Sequence, residues 1–215
     1  EPNVGGIAAL RVPQEGIVDY PAVCSELKRC ITANGGDVQT GARVTRLEQR
    51  AGEWIATTPK GEFDGRYLVN CAGLHCDRVA GLAGEKRETR IVPFRGEYYK
   101  LVEGSEGLGR HLIYPVPDPQ FPFLGVHFTR LIHGGIEAGP NAVLAFAREG
   151  YRKTDVNLRD LFDAVTYPGL WRFVAKHPRM TALELWQSFS KRRFCRALQK
   201  LVPNIRVSDI EPGGA

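Results

Sequence analysis

Tyr67-Leu68-Val69-Asn70-Cys71-Ala72-Gly73 reads as a short apolar strand that ends in two residues without bulk. A strand that closes on Ala-Gly lets the backbone approach a ligand, and a helix opening there turns its N–H groups and positive dipole end toward it. Leu74 to Leu82, with Val79 and Leu82 apolar, reads as that helix. Upstream, Tyr20-Pro21 opens an earlier helix with Asp19 or Tyr20 at the cap, Val23, Leu27, Cys30 and Ile31 on one face, and Gly35-Gly36 as its stop. Val38 to Leu47 and Glu53 to Thr58 read as strands, with a hairpin turn at Pro59-Lys60-Gly61-Glu62. The order helix, strand, hairpin, strand, tight turn, helix is half of an α/β nucleotide-binding architecture.

From Ile91 the pattern changes. Ile91 to Leu101, Leu112 to Val116, Phe123 to Thr129 and Gly135 to Ala138 read as strands separated by Pro- and Gly-rich turns, so a mixed or antiparallel sheet is expected. Residues 155–202 turn helical, in two or three helices broken at Pro168-Gly169 and Pro178. The fold class is therefore α+β with an α/β part. Residues 1–90 form one domain, and 91–215 a second with its sheet backed by helices.

The totals remove several function classes. The 215 residues are 43% hydrophobic and 25% charged, with no run near the roughly 18 apolar residues of a membrane-spanning helix. The chain opens Glu1-Pro2-Asn3 and stops at Gly213-Gly214-Ala215, and both ends read as cut, without a signal peptide. A net charge of +5 raises nucleic-acid binding, but the cations are dispersed. The densest run, Lys191-Arg192-Arg193 with Arg196 and Lys200, lies on a helix whose apolar positions are Phe189, Phe194, Leu198 and Leu201, and reads as a solvated face. Nucleic acid is not an expected partner. Five cysteines (Cys24, Cys30, Cys71, Cys76, Cys195) without a C-x-x-C argue against structural zinc and a disulfide framework, leaving buried reduced thiols as the expectation. No metal site is expected. G-x-G-x-x-G, G-x-S-x-G, H-E-x-x-H and the P-loop are all absent.

Four stretches can carry chemistry. In Val92 to Tyr99, Arg95 beside Gly96 is either a surface cation of an edge strand or a guanidinium fork for a carboxylate. His127, between apolar neighbours in Gly125-Val126-His127-Phe128-Thr129, is either a satisfied core histidine or a base for a hydroxyl proton. Glu137-Ala138-Gly139-Pro140-Asn141-Ala142 reads as a tight turn with the Asn141 amide at its tip. Cys71-Ala72-Gly73 is either a packing device or a close backbone approach to a ligand.

These blocks, in order, resemble one family. Ile17-Val18-Asp19-Tyr20, Tyr67 to His75, Pro93 to Tyr99, Pro115 to Pro119, Gly125 to Thr129, Gly139 to Ala142, Arg148 to Tyr151 and Leu198 to Pro203 are similar to the L-2-hydroxyglutarate oxidase/dehydrogenase family. The wider group is the FAD-dependent oxidoreductases of the D-amino-acid-oxidase type. The resemblance implies a split FAD domain, of which residues 1–90 are the middle, and a substrate domain inserted into it. It implies FAD contacts at Val44, Cys71, Ala72, Gly73 and Gly96, and a dicarboxylate 2-hydroxy acid bound by Arg95, Tyr99, Tyr114 and Asn141, with His127 as the base. Oxygen or a quinone would accept the electrons, in a cytoplasmic protein with a possible peripheral membrane contact. An amino-acid or glycerol 3-phosphate oxidase of the same type, or a cofactor-free binding fragment, is the alternative.

Overall fold

Pro21 in the first turn and the Asp19 carboxylate, which accepts from the Ala22 N–H at 3.3 Å, start helix α1 (Tyr20–Ala33) where the sequence places it. The computed structural model describes residues 1–117, 119 and 125–215, and divides into two units: Asp19–Ile91, and Glu1–Val18 with Val92–Ala215. The sequence-based boundary lies at residue 90, and the first 18 residues group with the C-terminal unit.

In the 19–91 unit, β1 (Arg46–Arg50), β2 (Glu53–Thr58) and β3 (Gly61–Gly65) form an antiparallel meander. Gly52 and Gly61, both at positive φ, turn the chain between them. A 3₁₀ turn at Gly73–His75 leads into α2 (Cys76–Leu82). Two expectations fail here. The strand expected from Val38 starts only at Arg46, and the Tyr67–Cys71 run pairs with no strand; Val69 is 80% exposed. A strand exists only where a neighbour takes its N–H and C=O groups, and β1–β3 already satisfy one another. α1 likewise buries none of its residues.

The second unit is built on a four-stranded antiparallel sheet of β4 (Phe94–Leu101), β5 (His127–Arg130), β6 (Ile136–Leu144) and β7 (Ile210–Gly214), in the order β5-β6-β4-β7. Four helices follow β6: α3 (Leu158–Val165), α4 (Pro168–Lys176), α5 (Pro178–Ser188) and α6 (Lys191–Leu198). Pro168 and Pro178 open α4 and α5, where the sequence breaks its helices, and a further break falls where Ser190 caps α6. Phe194, Cys195 and Leu198 of α6 pack with Phe128, Ile136, Ala138, Leu101 and Ile210 of the sheet into one core. That burial, at about 25 cal/mol per Å² of apolar surface, is what holds the helix on the sheet.

Other readings are corrected by this core. Glu137 to Ala142 is not a turn but the middle of β6, with a cis Gly139-Pro140 bond inside the strand. The proline lies where the β4–β6 register shifts, between Glu97 and Tyr99, so it takes no ladder bond from a regular pair. Phe189 is exposed, outside the apolar face of α6. Leu112 to Val116 contributes only an isolated bridge, Ile113 with Phe128. Phe123 and Leu124 of the expected strand, and Asp118 of the Pro-rich turn, lie outside the described residues. Cys195 is buried, but Cys24, Cys30 and Cys71 are exposed; all five thiols are free.

Candidate functional site

Side chains alternate across a strand, so the core on one face of the sheet decides what stands on the other. Phe128, Ile136 and Ala138 point into the α6 core, and Tyr99 packs on the Phe194 ring at 4.6 Å. His127, Thr129, Glu137 and Gly139 therefore occupy the opposite face, where His127 pairs in register with Gly139 and Thr129 with Glu137. Tyr98 joins them: a methyl group on Gly139 would lie 2.7 Å from its ring.

His127 is the centre of this face. The Tyr114 ring stacks on its imidazole at 4.3 Å and 16°. Its Nδ1 lies 3.1 Å from the Gly125 carbonyl oxygen. A carbonyl only accepts, so Nδ1 carries the proton and Nε2 of the neutral ring carries the lone pair. Burial pushes the His127 pKa below its ordinary value, and the Gly125 carbonyl opposes this only in part. The imidazole is therefore neutral at pH 7, with a basic nitrogen. The Tyr114 hydroxyl meets the Thr129 hydroxyl at 3.2 Å. Burial, with the Glu137 and Tyr114 charges behind it, raises the Tyr98 phenol, which stays protonated and able to donate.

Arg95, Tyr99 and Asn141, expected beside His127, stand on the helix side instead. Arg95 donates from Nη2 to Glu97 at 2.8 Å and from Nη1 to the Arg152 carbonyl at 2.9 Å. Glu97 also accepts from the Ser188 hydroxyl at 2.6 Å, with Lys153 at 3.4 Å. Burial alone would raise the Glu97 carboxyl, but Ser188, Arg95 and Lys153 together bring it below its ordinary value. Asn141, 1% exposed, donates from Nδ2 to the Glu184 carbonyl in α5, while the Glu184 carboxylate accepts from the Ala142 N–H at 2.7 Å. These residues fasten β4 and β6 to the helix layer. The sequence motifs hold them and His127 together in order, but period-two alternation sends them to opposite faces.

Gly96 is used internally, since a methyl group there would meet Pro140 at 3.1 Å and Tyr98 at 3.2 Å. In the other unit, Val44 is half-buried ahead of β1, and Asn70 braces the small-residue turn: its Oδ1 accepts from the Ala72 N–H at 3.2 Å. Gly73 has φ of +51° and open space where a side chain would stand, so backbone at Cys71-Ala72-Gly73 is accessible. Sequence reasoning passed over Thr129, Glu137 and Tyr98; alternation from His127 alone would have found Thr129. Among the described residues no group of three His, Cys, Asp or Glu side chains is placed to hold a metal, and no helix is long and apolar enough to cross a membrane.

A sheet face built round a neutral histidine, beside a separate α/β unit with an accessible Ala-Gly turn, suits cofactor-dependent redox chemistry. The family model described as FAD dependent oxidoreductase matches residues 1–212, and the chain belongs to this family. It is 48% identical over 216 residues to an L-2-hydroxyglutarate dehydrogenase of Indibacter alkaliphilus, covering 100% of this chain and 54% of that one. Against the L-2-hydroxyglutarate dehydrogenase of Escherichia coli strain K12 it is 40% identical over 213 residues, covering 99% and 50%. The chain thus spans about half the length of the curated relatives it matches. Among solved structures it resembles the dithionite-reduced, FAD-bound L-alpha-glycerophosphate oxidase of Mycoplasma pneumoniae with a TM-score of 0.41 and 15% identity, over 84% of this chain and 39% of that one.

Proposed function

We propose that the complete protein oxidises L-2-hydroxyglutarate to 2-oxoglutarate with FAD as cofactor. The observation that carries the catalytic part is the Nδ1–H of His127 fixed on the Gly125 carbonyl, which leaves Nε2 as a base. His127 Nε2 takes the substrate hydroxyl proton as the Cα hydrogen leaves with its electron pair. FAD, when bound, supplies the two-electron acceptor for that hydrogen. Tyr114 and Tyr98 donate to the substrate's oxygens from the same face. Arg95, Tyr99 and Asn141 hold the strands that present this face and do not touch the substrate.

The residues fit the cofactor. The exposed Cys71-Ala72-Gly73 backbone, open at Gly73, and the half-buried Val44 would hold its dinucleotide part. Gly96 would act only through the shape of β4. Oxygen or a quinone would take the electrons onward, and the named relatives support a small 2-hydroxy acid as the substrate class.

The full-length protein, assayed with a dye acceptor, should oxidise L-2-hydroxyglutarate in strong preference to its D-enantiomer, glycerol 3-phosphate and amino acids. Equal or better turnover of any of these would replace the substrate assignment.

A further inference from the structure

Thr129 has no role in the chemistry proposed above, yet it closes a ring of contacts round the base. It stands two residues beyond His127 on β5, and so on the same face. Its hydroxyl is 3.2 Å from the Tyr114 hydroxyl, and the Tyr114 ring lies flat on the His127 imidazole at 4.3 Å. Tyr114 belongs to no strand; its chain neighbour Ile113 makes only an isolated bridge with Phe128. The ring thus has little backbone support of its own, and half of the side chain is open to solvent. The hydroxyl pair is the polar contact that fixes how the ring lies.

The geometry points to Thr129 as a positioning residue: through its hydroxyl it pins Tyr114 over His127, holding the imidazole in a dry, fixed orientation. This inference rests on the reading of His127 as the base. A Thr129 hydroxyl that donates to the Tyr114 oxygen also leaves the phenol proton for a substrate oxygen, so one contact orients both groups. The other charged or titratable groups on this face are Tyr98 from β4 and Glu137 from β6, the latter opposite Thr129 in the register. Neither approaches the imidazole as the Tyr114 ring does, by stacking directly on it.

Without the Thr129 hydroxyl the ring loses its tether and water reaches the imidazole. Burial is the main cause that lowers the His127 pKa, so its loss moves that pKa up toward the ordinary value of about 6.5. In the full-length protein, Thr129→Val keeps the branched shape and removes the hydroxyl. It should lower kcat on the order of fivefold, the worth of one ordinary hydrogen bond, with little change in KM. Thr129→Ser should restore the rate. Tyr114→Phe should lower kcat by a similar factor, and the double variant should be no slower than the slower single one, because both remove the same contact. Multiplicative losses would overturn the inference.

The His127 Cε1–H titration, followed by NMR and assigned with His127→Ala, separates this inference from the one beneath it. An upward shift in Thr129→Val with restoration in Thr129→Ser supports positioning. An unchanged titration in Thr129→Val rejects it, even if turnover falls. Full activity of His127→Ala rejects the base assignment instead, whatever the titration shows.

Discussion

At the scale of single residues, the environment of His127 sets a sign for the pH dependence. A base must be neutral to act, and burial holds its pKa below the ordinary value of about 6.5. The acid limb of kcat/KM should therefore lie below pH 6.5, with the base fully available at neutrality. His127→Ala should cut kcat on the order of 10²-fold or more and abolish that limb. A near-normal rate, or a limb that survives the substitution, removes His127 from the role. Glu97 gives a second sign, in stability. Its folded pKa is depressed, so its contribution is present above the unfolded pKa of about 4.3 and is lost as pH falls through the lower folded value. Glu97→Gln strands the Arg95 guanidinium, whose side chain is only 8% exposed, without its partner. It should cost about 3 kcal/mol at pH 7, the lower end for breaking a buried pair. Chemical denaturation of the full-length protein should show that difference shrinking as pH drops below about 4.3; a pH-independent gap would show that the charge contributes nothing.

At the scale of elements, β6 carries the tightest joint. Gly139 pairs with His127, and a methyl group there would meet the Tyr98 ring at 2.7 Å and the Glu97 carbonyl oxygen at 3.0 Å. The carbonyl is backbone and has little room to yield, so Gly139→Ala should destabilise the sheet by about 1–3 kcal/mol. It should also displace Tyr98, which a crystal structure of the variant would show; an unshifted ring with unchanged stability would refute the joint. The same strand shows what the sequence could and could not reveal. Gly-Pro-Asn looks like a turn because those residues favour turns when only local preference acts. In β6 the β4 and β5 ladders on either side override that preference, at a point where the register slips. The helix breaks at Pro168 and Pro178 were legible because a missing N–H and a fixed φ are local facts. His127 was legible as a candidate because a titratable ring among apolar neighbours is visible in sequence. Its partner Tyr114 was visible only as a family motif, since the stack depends on where a non-strand segment lies.

At the scale of the whole molecule, the two units differ in how completely they bury their apolar side chains. The 92–215 unit has a dry core with Phe128, Phe194 and Leu198 at 0% exposure. In the 19–91 unit α1 exposes Val23, Leu27 and Ile31, and the unpaired Tyr67–Cys71 run exposes Tyr67 and Val69. Isolated exposed apolar residues are common, but an amphipathic helix with no buried residue and a strand-like run with no partner need a neighbouring layer. The curated relatives are about twice the length of this chain, and we propose that further sequence of the complete protein supplies that layer, with the cofactor bound against Cys71-Ala72-Gly73. Hydrogen exchange on the full-length protein tests this. Amides 67–71 and the apolar face of α1 should exchange at the slow rates of core strands, and removing the flavin should speed exchange at 71–73 more than elsewhere in the unit. The 215-residue chain alone should exchange rapidly at 67–71 and purify without the flavin absorbance near about 450 nm. Rapid exchange at 67–71 in the flavin-loaded, full-length protein would mean that this run is a surface loop, and the cofactor contact would have to be sought elsewhere in the unit.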